Sequence, residues 1–174
     1  AVGPTLGLTD SLLTMSGQNT NWELRTIDVS SYANSTVHLV FYHYATSYTG
    51  DMQLDDIIIG GSLYTFESGT QSWETTTTNS NTVVSGDATV SSNAAATYTS
   101  VTFSPVQTTT ATARWNRDRS GTGSGGTGSS IDHTLGNTSG WYVYAETSFP
   151  TPCGYWLKSP QITLGGSPTL SFWV

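Results

Sequence analysis

The chain has 174 residues, of which 10% are charged, with five Lys plus Arg against twelve Asp plus Glu for a net of −7. So few cations cannot neutralise a phosphate backbone, which excludes nucleic acid and argues against an anionic lipid surface. No apolar run approaches the roughly 20 residues that span a bilayer, so membrane insertion is not expected.

The opening "AVGPTLGLTDS" has no initiator Met, no basic region and no apolar signal core, and reads as a processed chain or a piece of a longer one. "TLGLT" (5–9) and "SLLTM" (11–15) are short apolar pieces. "NWELRTIDVSSY" follows, with Trp22 and Leu24 and then Ile27 and Val29 predicting a strand with an irregularity. "STVHLVFYHYA" is the strongest strand signal. Val37, Leu39, Phe41 and His43 share one face, while His38, Val40, Tyr42 and Tyr44 share the other, so both faces are expected to be covered. "DMQLDDIIIGG" reads as a further strand. Strict alternation puts Met52, Leu54, Asp56 and Ile58 on one face, and so turns the Asp56 carboxylate inward.

The stretch from Thr75 to Thr112 is rich in Thr, Ser, Asn and Ala. It reads as strands on a polar surface carrying O-linked sugars, with a linker as the alternative. "DRSGTGSGGTGSS" is a loop, "GWYVYAE" a strand, "PCGYWLKSPQIT" a strand with a turn, and "PTLSFWV" a final strand. That last strand ends the sequence without a turn or a charge. Leu170, Phe172 and Val174 are therefore expected to form an open apolar strand that associates with another copy. The composition throughout, with β-branched Thr filling polar positions, is that of an all-β chain.

Catalytic chemistry finds no footing. "GTGSGGTGSS" lacks the Gly-Lys-Ser/Thr ending and the following helix that a phosphate loop needs. His38 and His43 fall on opposite faces of one strand and cannot both ligate one zinc ion. No G-x-S-x-G elbow is present, and the chain is expected not to be an enzyme. Cys153 is the only cysteine, which excludes an internal disulfide and reads as a small buried hydrophobe.

The carboxylates carry more information. Asp55 and Asp56 lie inside an apolar strand, and a buried charge needs a partner or a metal. With Glu67 and Asp132 they make a candidate oxygen set for calcium. The other reading is that these acids accept backbone N–H bonds and pin loops. The sequons at Asn34 and Asn137 are candidate N-glycosylation sites of a secreted chain.

These residues resemble the MAM domain, the extracellular module named after meprin, A5 antigen and receptor phosphatase mu. One block, residues 63–174, carries "FES" with Trp73 like the family's "FE…W". It continues with "RWNRDRSGTGSGGTGSSIDHTLGNTSGWYVYAE" like "W-x-R…DHT…G-x-Y", "WLKSPQI" like "L-x-SP", and "LSFWV" like "L-x-F-x-Y". The other block, residues 1–62, carries "GPTLGL", "NWELRTIDVSSY" and "GDMQLDDIII" like "G-x-L-x-V", "W…V-D-L" and "GDIAIDDI". In the family the block resembling 63–174 comes first, so here the halves are swapped. The family's paired cysteines are absent, and the Thr/Ser-rich stretch between Trp73 and Trp115 is longer than its pattern.

The resemblance implies an antiparallel jelly-roll β-sandwich and a role in extracellular or cell-surface adhesion and self-association, sometimes with a structural cation. By motif, Glu67, Asp55 and Asp56 are its cation candidates, with Asp132 next. The expected function is a non-enzymatic structural module whose partners are copies of itself. Residues 1–62 and 63–174 then make either one domain's worth of sequence, as a circular permutation, or two half-domains of a tandem array or filament. A glycan-binding sandwich and an accessory ectodomain of a larger secreted protein are the alternatives.

Overall fold

The computed structural model describes residues 11–15, 21–45, 51–69, 71–79, 115–122, 126–145 and 153–174, with the backbone alone for 44–45, 74–79 and 153–156. The "TLGLT" piece, and all of the Thr/Ser-rich stretch beyond Asn79, lie outside the described residues.

Eleven strands and one 3-10 turn (Ser30–Tyr32) make up the regular structure of the described residues. The strands are β1 (Leu24–Asp28), β2 (Thr36–Val37), β3 (Val40–Ala45), β4 (Met52–Ile59), β5 (Ser62–Tyr64) and β6 (Glu74–Asn79), then β7 (Trp115–Asp118), β8 (Tyr142–Ala145), β9 (Cys153–Lys158), β10 (Ile162–Thr163) and β11 (Thr169–Trp173). The all-β expectation from composition is met, and every strand pairing is antiparallel.

The largest sheet runs β1-β11-β4-β8-β7, with β5 also paired to β4. A second sheet runs β3-β9-β6, and β2 pairs with β10. The two sheets share one core. Phe41 of β3 meets Phe172 of β11 edge-on, with ring centroids 5.0 Å apart, and Trp73 lies 6.1 Å from Phe41 on the other side. Leu54, Ile57, Ile59, Trp115, Val143, Leu157 and Leu170 complete the buried cluster. Strands from the two sequence blocks are neighbours in both sheets, although β7 with β8 and β6 with β9 pair within one block. β1 and β4 flank β11, β8 lies beside β4, and β3 lies beside β9.

Three expectations change. First, β11 is not an open strand. β1 pairs with one side of it from Leu24↔Trp173 to Asp28↔Thr169, and β4 pairs with the other. Leu170 and Phe172 are buried, and Val174 packs against the same core. They are core residues here, not a surface for a second copy, because alternation turns them toward the facing sheet.

Second, "STVHLVFYHYA" is two strands. The chain breaks between β2 and β3, where Leu39 N–H donates to Ser159 Oγ and Ser159 N–H donates back to the Leu39 carbonyl. Val37, Leu39 and Phe41 do face the core. The opposite face is only partly covered, and His38 on it is exposed. Burial lowers the His43 imidazole to about 4, so it is neutral near pH 7.

Third, β4 does not alternate from end to end. Ser171 pairs with Ile58 but Trp173 pairs with Asp55, so Asp56 and Ile57 together stand opposite Phe172. This is a β-bulge, and Asp56 takes a left-handed φ of 46° to make it. The bulge reverses the parity. Ile57 and Ile59 turn into the core, Ile58 is 45% exposed, and Asp55, not Asp56, is the fully buried acid.

Candidate functional site

The bulge in β4 positions a cluster of polar side chains. With one extra residue inserted, the Asp55 and Asp56 carboxylates both reach the segment 131–135. Asp55 Oδ2 accepts the N–H of His133 at 2.9 Å and that of Thr134 at 3.2 Å, while its Oδ1 accepts the N–H of Asp56. Asp56 takes the His133 ring at 2.6 Å (Nδ1 to Oδ2) and the Thr134 hydroxyl at 2.7 Å. Burial raises the Asp55 carboxyl to about 7, against the His133 and Asp56 N–H groups that pull it down and the Asp56 charge that pushes it further up.

Further contacts seat the same loop. The His133 ring stacks on Trp173 of β11, centroids 3.7 Å apart and planes 18° apart, and meets the edge of Trp22. Trp22 Nε1–H donates to the Ile131 carbonyl. Ser129 N–H donates to Gln53 Oε1, and the buried Tyr142 hydroxyl donates to the Ser129 carbonyl. Burial raises the Tyr142 phenol, which stays protonated.

Asp132 works in the opposite direction and shapes the loop itself. Its Oδ2 accepts Leu135 N–H at 2.6 Å and its Oδ1 accepts Asn137 N–H at 3.2 Å. The carboxylate fills the space where residue 140 would carry a Cβ, with all three of its heavy atoms within 2.1–2.3 Å of that position. Only glycine fits at Gly140. Beside it, Glu67 Oε1 accepts Trp141 N–H at 2.8 Å. Burial raises the Glu67 carboxyl, Trp141 N–H opposes that, and neighbouring Asp132 adds to it.

Arg117 of β7 closes this end of the sheet. Its Nε donates to the Phe66 carbonyl at 2.6 Å and its Nη2 to the Glu67 carbonyl at 3.0 Å. These bonds hold a backbone in which fully buried Phe66 has a φ of 60°. The guanidinium lies 3.8 Å above the Trp141 ring, and Arg119 lies 4.9 Å from it.

No protein-family model matches the chain, and no solved structure matches it.

The expected site residues therefore fall into separate groups. Asp55 and Asp56 hold His133 and Thr134, while Glu67 and Asp132 lie together near Trp141. Among the described residues no three His, Cys, Asp or Glu side chains stand where one ion could be held. Calcium takes six to eight oxygens, and the Asp55 oxygens already accept three backbone N–H groups. These donors fit loop pinning, the second of the two readings given to the acids, better than they fit one ion shared by all four.

Asn34 is exposed in a turn, with φ 61°. Asn137 is also exposed, but its amide donates to the Leu135 carbonyl and its oxygen accepts Ser139 N–H. Cys153 lies in β9, and its side chain is outside the described residues. The sequence reading missed His133, Thr134, Arg117 and Trp141 as partners of these acids. The bonds between Asp56 and His133 span 77 residues, and no local spacing announces them.

Proposed function

We propose that this chain is a non-enzymatic extracellular adhesion module, a MAM-like jelly-roll sandwich with its halves in swapped order, which associates with copies of itself. One observation carries the reading. The two most specific motifs of the resemblance, "GDMQLDDIII" and "DHT", belong to different sequence blocks and bond directly to each other. Asp55 accepts the His133 and Thr134 N–H groups, and Asp56 accepts the His133 ring and the Thr134 hydroxyl. Motifs brought together by chance have no reason to be complementary in this way. Both sheets take strands from 1–62 and from 63–174, which supports the same reading, since the swapped blocks complete one set of sheets.

The chemistry of the cluster agrees with a structural role. The His133 ring contacts Asp56, Trp173 and Trp22, an arrangement that immobilises an imidazole. A glycan-binding face wants exposed aromatic rings. The five described tryptophans are instead buried (Trp73, Trp115) or half-buried (Trp22, Trp141, Trp173).

The test is homotypic adhesion. Beads coated with residues 1–174 are expected to cluster with one another and not with beads carrying an unrelated acidic β-protein. Coated beads that stay dispersed across physiological salt overturn the proposal.

A further inference from the structure

At one rim of the largest sheet the backbone faces away from every described strand. Glu23 and Val174 exchange both N–H···O bonds, at 2.8 and 3.0 Å. In an antiparallel ladder such pairs alternate, so Arg25 with Phe172 and Ile27 with Leu170 are the next bonded pairs of the β1–β11 register. The N–H and C=O groups of Leu24, Thr26 and Asp28 therefore point away from β11. Among the described residues β1 pairs with β11 alone. The side chains of these three residues are exposed, and Leu24 is 50% exposed. A strand edge of this kind is a template for another strand.

The sequence of β1 selects the partner. In an antiparallel pairing of two β1 strands, the residue at the two-fold axis decides which side chains meet. An axis at Arg25 sets like charges opposite each other, which is destabilising. An axis at Thr26 sets exposed Leu24 against the Asp28 carboxylate. An axis at Leu24 sets Leu24 against Leu24, Trp22 against Thr26, and each Glu23 against the other copy's Arg25. Within one copy Glu23 and Arg25 already form an ion pair, with side chains about two-fifths exposed. Glu23 and Arg25 thus stand in self-complementary order about Leu24, on a molecule with five Lys plus Arg in all.

We propose that two copies of this chain join β1 to β1, antiparallel, about a two-fold axis at Leu24, making one continuous sheet across the dimer. This rests on the reading that the chain associates with copies of itself, and it names the surface. Because the contact is isologous it closes as a dimer. A filament would need a second, different contact.

Sedimentation of the 1–174 chain and its variants tests the geometry. The wild-type chain is expected to dimerise. Glu23→Arg sets Arg against Arg across the axis, and Arg25→Glu sets Glu against Glu, so each alone is expected to weaken dimerisation roughly tenfold. An equimolar mixture of the two variants restores both opposite-charge pairs and is expected to recover the wild-type affinity as a heterodimer. Thr26→Pro removes an outward N–H that β11 does not use. It is expected to abolish the dimer with the melting temperature nearly unchanged.

A wild-type dimer unaffected by Thr26→Pro and by both charge reversals overturns this surface and leaves the adhesion reading standing. Two weakened charge variants that fail to recover on mixing overturn the Leu24 axis. A wild-type chain that stays monomeric through the concentrations of the adhesion assay overturns the dimer, and the adhesion reading then stands or falls on the beads.

Discussion

The two rims of the largest sheet are built in opposite ways. At one rim β1 alternates exposed and half-buried residues, and its outward backbone groups meet no described strand. At the other, all four residues of β7 are buried, including Asn116, Arg117 and Asp118. The difference is not hydrophobicity, since three of the four β7 side chains are polar. It comes from what covers the strand. Arg117 reaches over to the Phe66 and Glu67 carbonyls, Trp141 lies beneath its guanidinium, and the loop behind Trp141 is tied down by Asp132 and by the β4 bulge. A sheet edge is protected either by being charged and short or by being roofed. Among the described residues, one rim is roofed with polar bonds and the other is left to its charges.

The largest expected effect comes from releasing the roof at its root. Asp55→Ala removes the buried acceptor of three part-buried N–H groups, those of His133, Thr134 and Asp56. Buried donors left without partners cost about 1–3 kcal/mol each when water cannot reach them, and opening the loop relieves part of that. We expect a loss of about 3 kcal/mol in urea unfolding. Thr26→Ala at the open rim should leave the transition within about 0.5 kcal/mol of wild type.

Asp55 also gives the roof a pH dependence. Burial raises its folded pKa to about 7 from 3.8. Between these values the folded chain holds a proton that the unfolded chain has lost, so stability falls as pH rises. The Asp55 contribution is fully present below about 4 and lost by about 7. Glu67 and Asp118 are raised as well and act in the same direction. His43, lowered by burial to about 4 from 6.5, contributes stability that grows with rising pH up to about 6.5 and so opposes this fall. The test is therefore a difference: the urea midpoint of Asp55→Asn relative to wild type should rise between pH 4.5 and 7.5. A variant whose slope equals that of wild type would place the titration elsewhere.

The strands were legible in the sequence where alternation is local. "TLSFWV" alternates as read, and Leu170 and Phe172 turn to one side. What flanks that strand was not legible, because Leu24↔Trp173 and Ser171↔Ile58 are pairings over long separations. The polar site was half legible. Two acids inside an apolar strand announce that a partner exists, and both readings of that partner were available. The choice of Asp55 as the buried acid depends on the bulge opposite Phe172, which is set by register against β11 and not by the residues of β4 alone. The break inside "STVHLVFYHYA" has the same origin. It is made by Ser159, 120 residues away from Leu39.

The next effect separates the roof from its foundation. Arg117→Met keeps much of the aliphatic stem against Trp141 but removes both bonds to the Phe66 and Glu67 carbonyls. It leaves Asp55 and its loop bonds in place. Two hydrogen bonds from a charged donor, lost in a largely buried setting, correspond to about 2 kcal/mol. Hydrogen exchange should show the change at Phe66 to Trp73 and at β7, with Thr134 protected as before. If Thr134 loses protection equally, roof and loop form one cooperative unit, and the distinction between them is withdrawn.

The smallest effect on folding is expected at the open rim, and it is the most discriminating. Leu24 is 50% exposed, and its neighbour across the ladder is Trp173, which is itself stacked on His133. Leu24→Ser withdraws a half-exposed side chain and no hydrogen bond. The chain should unfold within about 0.5 kcal/mol of wild type. If the β1 rim serves only the monomer, nothing else should change. If two copies meet about Leu24, the same substitution removes the one apolar contact that the axis repeats on itself, and dimerisation should weaken several-fold. A residue whose loss is silent in unfolding and visible in association belongs to a surface. The Arg117 rim, where loss is visible in unfolding, belongs to the fold.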